Sequence, residues 1–221
     1  MFDALEMAPP DAILGLTEAY RADSNPEKVN LGVGVYKDDA GVTPVPSAVK
    51  KAEEKLLKSE STKSYMPIPG IPEYGKVVRD LVFGAGHEVV SSSRAVTAAT
   101  PGGTGALRIA GDFIRKLFPN KSIWVSDPTW ANHTGIFTAA GLNIGTYAYY
   151  DAANKSLAFD AMLKALRAVP EGDIVLLHGC CHNPTGMDPT LEQWKAIAEV
   201  MAERNLVPFV DFAYQGLSDG L

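Results

Sequence analysis

The chain is poor in cysteine, in positive charge and in long apolar runs, and each shortage removes a class of protein. Its only cysteines, Cys180 and Cys181, are adjacent, which makes a structural disulfide between them geometrically poor; they are read as reduced thiols near a strand end. Twenty Lys and Arg stand against 26 Asp and Glu, a net charge of −6, and no basic stripe is present to neutralise several phosphates. Nucleic acid is therefore not an expected partner. No apolar run approaches the about 18 residues of a membrane helix. The opening Met1-Phe-Asp-Ala-Leu-Glu6 carries acid where a secretory signal carries positive charge. The expectation is a soluble, cytoplasmic chain with no membrane partner. Internal repeats and low-complexity tracts are absent as well.

At 221 residues, 46% hydrophobic and 21% charged, the composition is that of a globular chain with one large domain and a small appendage. Residues 1–46 are punctuated by Gly32, Gly34, Gly41, Pro44 and Pro46 and read as an extended arm plus a loop, a small-domain segment with little core of its own. The large domain is expected over residues 47–221. From Ser47 a helix is marked by Ala48, Val49, Ala52 and Leu56, at spacings of three and four. The run Tyr65-Met-Pro-Ile-Pro-Gly-Ile-Pro72 forbids continuous helix, and a helix follows over residues 72–83.

After Arg94, β-branched or apolar runs alternate with stretches of helical periodicity. Strands are expected at residues 94–99, 122–127, 145–150, 173–178 and 207–212, with helices at 104–117, 130–140, 159–168 and 191–204. This alternation predicts the α/β class: a three-layer, mostly parallel sheet with helices on both faces. Right-handed crossovers place the strand-to-helix loops on one rim, where ligands of open α/β sheets bind. On that rim fall Thr100–Gly105, Asp127–His133, Cys180–Gly186 and Asp211–Tyr214.

The loop Thr100-Pro-Gly-Gly103-Thr104-Gly105 opens into a helix, and is either a phosphate cradle of backbone N–H groups or a tight turn that needs glycine. It has neither the lysine-bearing phosphate loop nor the dinucleotide glycine spacing. Trp130 is a shelf for a flat ring or a core residue. His133 is a structural histidine or a partner that orients a carboxylate such as Asp211. His178, Cys180, Cys181 and His182 do not form the two separated ligand pairs of a zinc site, so no metal is expected. Asn183-Pro184 can aim an amide from a cis bond, or be an ordinary turn. Taken together, the amide of Asn183, the carboxylate of Asp211 and the phenol of Tyr214 suit one flat heteroaromatic cofactor: the acid holds a ring nitrogen protonated and the others bond a ring oxygen. That points to pyridoxal phosphate.

Five stretches in order, Asn30-Leu-Gly-Val-Gly34-Val-Tyr36, Thr100 to Arg108, Asp127-Pro-Thr-Trp130-Ala-Asn-His133, Cys180-Cys-His-Asn-Pro-Thr-Gly186 and Asp211-Phe-Ala-Tyr-Gln-Gly216, resemble class I aspartate and aromatic amino-acid aminotransferases of the bacterial type. The resemblance spans essentially the whole chain. It implies fold-type I of the pyridoxal phosphate enzymes, working as a homodimer with sites at the subunit interface. It implies transfer of an amino group between an L-amino acid, aspartate or aromatic, and 2-oxoglutarate. By that resemblance Asp211 partners the pyridinium nitrogen, Asn183 and Tyr214 bond the ring oxygen, Gly103 and Thr104 bind the phosphate, and Trp130 stacks on the ring. Gly34 belongs to the segment that closes over substrate, with Trp130 and Asn183 also facing it. Tyr65 reaches the partner subunit's phosphate, and His133 and His178 stand behind the cofactor-binding residues. Gly102 stands where many relatives have serine.

The family's Schiff-base lysine, in a Ser-x-Ser-Lys motif on the strand after Asp211 and Tyr214, is expected beyond Leu221, as are its substrate-carboxylate arginines. Lys63, Lys121 and Lys195 lie in a loop, at a strand edge and in a helix, so no catalytic residue is assigned within these 221 residues. The expectation is the N-terminal half of such an enzyme, inactive as it stands. The alternatives are a non-catalytic, cofactor-binding or dimerising remnant, and a nucleotide-binding α/β domain, which leaves Asp211, Tyr214 and Asn183 without a shared role.

Overall fold

The structure is a computed structural model that describes residues 14–30, 32 and 34–220. Residues 1–13 of the expected arm, and Leu31 and Val33 of the first resemblance motif, lie outside the described residues. Contacts divide the chain into two units, one up to Glu60 and one from Ser61.

The first unit is more helical than its Pro and Gly content suggests. Helix α1 (Leu14–Ala22) stands inside the segment expected to be extended arm and loop. Leu, Ala, Glu and Arg are good helix formers, and the breakers on either side hide so short a run. Lys28 finishes it: its Nζ donates to the carbonyls of Tyr20 (2.6 Å) and Asp23 (2.5 Å), as cations do at helix C-termini. Helix α2 (Ser47–Ser59) follows the expected periodicity and buries no residue.

The second unit begins with the proline-rich loop and α3 (Pro72–Phe83), which carries its proline in the first turn, where a missing N–H costs nothing, and ends on Gly84 at φ +88°. A four-residue α4 (Glu88–Ser91) leads into residues 94–99, and here the expected strand does not form. The segment has no ladder neighbour. The Ala95 N–H turns back to Val89 O, the Ala99 N–H goes to Pro69 O, and Val96 is 92% exposed. An apolar run becomes a strand only when another strand satisfies its backbone groups.

Helix α5 (Gly102–Leu117) then starts the sheet domain, two residues before the expected start. The order that follows is β1 (Ser122–Asp127), α6 (Ala131–Ala139), β2 (Asn143–Ala148), a two-stranded ribbon of β3 (Tyr150–Asp151) and β4 (Ser156–Leu157), α7 (Phe159–Ala168), β5 (Ile174–His178), α8 (Leu191–Glu203) and β6 (Val207–Asp211). Four strands pair in parallel in the order β2-β1-β5-β6. The expected strand at 145–150 is displaced to 143–148, because the chain leaves the sheet at Tyr149 to make the ribbon.

Period-two alternation makes the three layers. Ile123, Val125, Ile174 and Leu176 point to one face, where they pack with Leu107 of α5 and Phe137 of α6. Val175 and Leu177 point to the other, with Met162 and Leu166 of α7 and Ile197, Val200 and Met201 of α8. Central β5 is buried along its whole length, as its unbroken Ile-Val-Leu-Leu run requires. In this register His178 ends β5 directly beside Asp211 at the end of β6. The carboxyl ends of the strands therefore share one rim.

Candidate active site

Three loops leave that rim. Asp127-Pro128-Thr129-Trp130 follows β1, Gly179 to Asp188 follows β5, and Phe212 to Gly216 follows β6; both Asp127-Pro128 and Asn183-Pro184 are cis. The glycine loop Thr100 to Gly105, expected on the same rim, follows no strand and leads into α5.

Hydrogen bonds run from loop to loop in one direction. The backbone N–H of Asn183 donates to Nδ1 of His178 (3.3 Å), so that nitrogen accepts. Burial pushes the His178 imidazole down to about 4, which keeps it neutral and leaves its proton on Nε2. Nε2–H then donates to Thr129 Oγ1 (3.2 Å), and the single Thr129 hydroxyl hydrogen goes to Nδ1 of His133 (2.8 Å). His133 is left to donate from Nε2 to Asp211 Oδ2 at 3.0 Å. That bond, above all, holds the Asp211 carboxyl below the ordinary carboxylate range. The carboxylate keeps 22% of its side-chain surface open while His133 is fully buried beneath it. A charged acid, fixed from below and reachable from above, is what a protonated ring nitrogen needs.

A second histidine braces the same loops. His182 is buried, with Nε2 at 2.9 Å from Ser126 Oγ and Nδ1 at 2.8 Å from Thr185 Oγ1. Burial, reinforced by neighbouring His178, pushes it down to about 3. Its ring stacks on Tyr149 at 3.8 Å between centroids and lies 4.2 Å from His178. Trp130 is half-buried, meets the His133 ring edge-on at 5.3 Å and packs on the core beside α6. Tyr214 O accepts from the Cys180 thiol at 3.2 Å, which ties the β5 and β6 loops together. Burial and the second thiol push Cys180 up to about 11, so it is no thiolate nucleophile. Among the described residues, no three His, Cys, Asp or Glu side chains are grouped to hold a metal ion.

At the glycine loop, α5 begins on Pro101 without any side-chain cap, and Gly102 has φ +71°. A Cβ placed on Gly102 or Gly103 meets nothing within 4 Å. The Gly102 N–H donates to Thr100 O at 2.8 Å, while the other first-turn N–H groups of this 16-residue helix have no side-chain cap and Thr104 is exposed beside them. The donor set fits a phosphate at this end and a flat protonated ring over Asp211.

Of the residues singled out in the sequence, the structure joins Asn183, His178, His133 and Asp211 in one chain through Thr129, with Trp130 against His133, while Tyr214 is tied by its carbonyl to Cys180. Tyr65 stands fully exposed in its loop. Gly34 lies in the first unit. Thr129, Ser126, Tyr149 and Asp188 went unnoticed in the sequence. Thr129 lay within a recognised rim loop, whereas Ser126 in β1, Tyr149 just past β2 and Asp188 two residues beyond the Cys180–Gly186 loop carried no such hint.

The family model for aminotransferase class I and II matches residues 26–221. The chain belongs to this aminotransferase family. Similar aminotransferases include the aspartate aminotransferase of Salmonella typhi, 55% identical over all of this chain and 56% of its own length. The aromatic-amino-acid aminotransferase of Pseudomonas aeruginosa is 48% identical, again over all of this chain and 55% of its own. A solved aromatic-amino-acid aminotransferase from Burkholderia pseudomallei, covalently bound to pyridoxal phosphate, superposes with a TM-score of 0.93 at 46% identity, over 100% of this chain and 55% of that one. The chain spans about half the length of the aminotransferases it matches. Parallel sheet, flanking helices and these neighbours agree with fold-type I of the pyridoxal phosphate enzymes.

Proposed function

We propose that this rim is the cofactor-holding part of an aminotransferase site, and that the protein works with pyridoxal phosphate on amino-acid and 2-oxo-acid substrates. The names of the relatives support aspartate or aromatic amino acids as donors. The observation that carries the reading is the directed hydrogen-bond chain ending on a charged, partly exposed Asp211. When bound, pyridoxal phosphate supplies a ring that draws electrons from the substrate α-carbon. Asp211 keeps the proton on its ring nitrogen. Asn183 and Tyr214 hold the ring oxygen, Trp130 covers the ring face, and Gly103 with Thr104 and the α5 N-terminus take the phosphate. Gly34, with Trp130 and Asn183, faces substrate, and exposed Tyr65 reaches the phosphate of the partner in a homodimer.

Residues 1–46 serve as arm and small-domain segment and residues 47–221 as large domain, although by contacts α2 groups with the first unit. No helix among the described residues is long and apolar enough to cross a membrane, and the location proposed is the cytoplasm. The three rim loops and the glycine loop contain no lysine, so these 221 residues hold the cofactor without a covalent tether. Titration of the 221-residue protein tests this. Pyridoxal phosphate binds about tenfold or more tightly than pyridoxal, Thr104→Val narrows the gap, and borohydride reduction followed by peptide mapping labels no single lysine stoichiometrically. Equal affinities for the two compounds contradict the phosphate site, and one fully labelled lysine contradicts the untethered reading.

A further inference from the structure

We infer that Asp188 is a positioning residue for Asn183, and through it for the ring oxygen of the cofactor; the inference rests on the site proposed above. Asn183 is reached from the end of β5 through Gly179-Cys180-Cys181-His182, and this short path contains a non-glycine residue in the left-handed region, Cys181 at φ +49°. L side chains disfavour that conformation unless the surroundings impose it. The imposing group is Asp188. Its Oδ2 accepts the Cys181 N–H at 2.6 Å and its Oδ1 accepts the His182 N–H at 2.9 Å. Two successive N–H groups make a small anion-binding concavity, and here a carboxylate from the same loop fills it.

Asp188 is itself held. Tyr149 donates its phenol to the carbonyl of the preceding Met187 at 2.6 Å, and the Met187 N–H goes to Thr185 Oγ1 at 3.2 Å. Thr185 in turn pairs with the His182 ring, which closes a small circuit around the two clamped amides. Asn183 is the next residue out, and its own N–H starts the chain that leads to Asp211. Asp188 therefore sets where the Asn183 amide stands without touching the cofactor.

The test compares pyridoxal phosphate with 3-deoxypyridoxal phosphate, which lacks the ring oxygen, and with pyridoxal, on the same 221-residue protein. The wild type prefers pyridoxal phosphate over the deoxy compound by about tenfold, and Asn183→Ala removes most of that preference. Asp188→Asn keeps the size but turns an NH2 toward an N–H; it lowers the ring-oxygen preference to about threefold or less while leaving the preference over pyridoxal unchanged. Adding Asn183→Ala to it costs little more. If Asp188→Asn does not fold, Asp188→Glu, which displaces the carboxylate by one methylene, is read in the same way. Faster hydrogen exchange at the Cys181 and His182 amides accompanies the effect. An unchanged ring-oxygen preference overturns the inference while the site stands. Loss of both preferences together also overturns it, because that is the mark of general collapse. A wild type with no ring-oxygen preference overturns the site and the inference with it.

Discussion

His178 and His182 decide how the rim responds to acid. Burial lowers His178 from 6.5 to about 4 and His182 from 6.5 to about 3, so the unfolded chain takes up protons between pH 6.5 and those values that the folded protein refuses. Stability from both is complete above pH 6.5 and is lost as pH falls toward 4 and then 3. Asp211, lowered chiefly by the His133 bond, has the same sign, but its contribution disappears only below the ordinary 3.8 of an aspartate. For His178 the shift corresponds to roughly 3 kcal/mol. Urea denaturation at a series of pH values is therefore expected to show stability falling from pH 6.5 to 4.5, with a slope reduced by about one proton in His178→Gln. A wild type equally stable at both pH values contradicts this account. Asp211, Asn183, His133 and His178 were legible as single letters because polar groups crowd the ends of recognisable strands. Thr129, Ser126 and Asp188 were not, since their partners lie in other loops or depend on one loop's fold.

At the scale of elements, what could be read depended on whether the signal was local. Helices α3 and α7 occupy their expected ranges, because a proline in the first turn and an apolar stripe are properties of the segment itself. The expected strand at 94–99 failed for want of a neighbour, and β2 moved because Thr-Tyr-Ala-Tyr-Tyr alternates no differently across a turn than along a strand. Strand register carries its own constraint. Gly145 of β2 lies opposite Trp124 of β1, and a Cβ on it stands 2.6–2.8 Å from three atoms of the indole. The indole has little freedom to give way, because its Nε1 donates to Asp173 Oδ2 at 2.9 Å. Gly145→Ala is expected to cost about 1–3 kcal/mol in denaturant unfolding. Gly135→Ala in α6, where the added carbon meets nothing within 4 Å, is expected to cost nothing or to stabilise by up to about 1 kcal/mol. Equal effects at the two positions contradict the packing argument.

For the whole molecule, shape alone points away from the rim. Apolar clefts of about 430 and 250 Å³ lie on the two faces of edge strand β6, one lined by Leu177, Trp194 and Met201, the other by Phe113, Ile114 and Phe209. Neither is lined by a charged group, and both are overwhelmingly apolar, which does not suit a polar cofactor. Polar chemistry gathers instead where parallel strands end together, and the order β2-β1-β5-β6 brings His133, His178 and Asp211 there from three separate stretches of chain. The fold class was legible from alternating strands and helices, and the cofactor from a carboxylate, an amide and a phenol on one rim. The central claim is that Asp211 holds the ring nitrogen of pyridoxal phosphate protonated. Nitrogen NMR of the 221-residue protein bound to ring-15N-labelled pyridoxal phosphate reads that proton directly. The account predicts a pyridinium signal that persists to about pH 8 in the wild type and is lost in Asp211→Ala at the same pH. An identical nitrogen signal in the two proteins, or no saturable bound signal in the wild type, would contradict it.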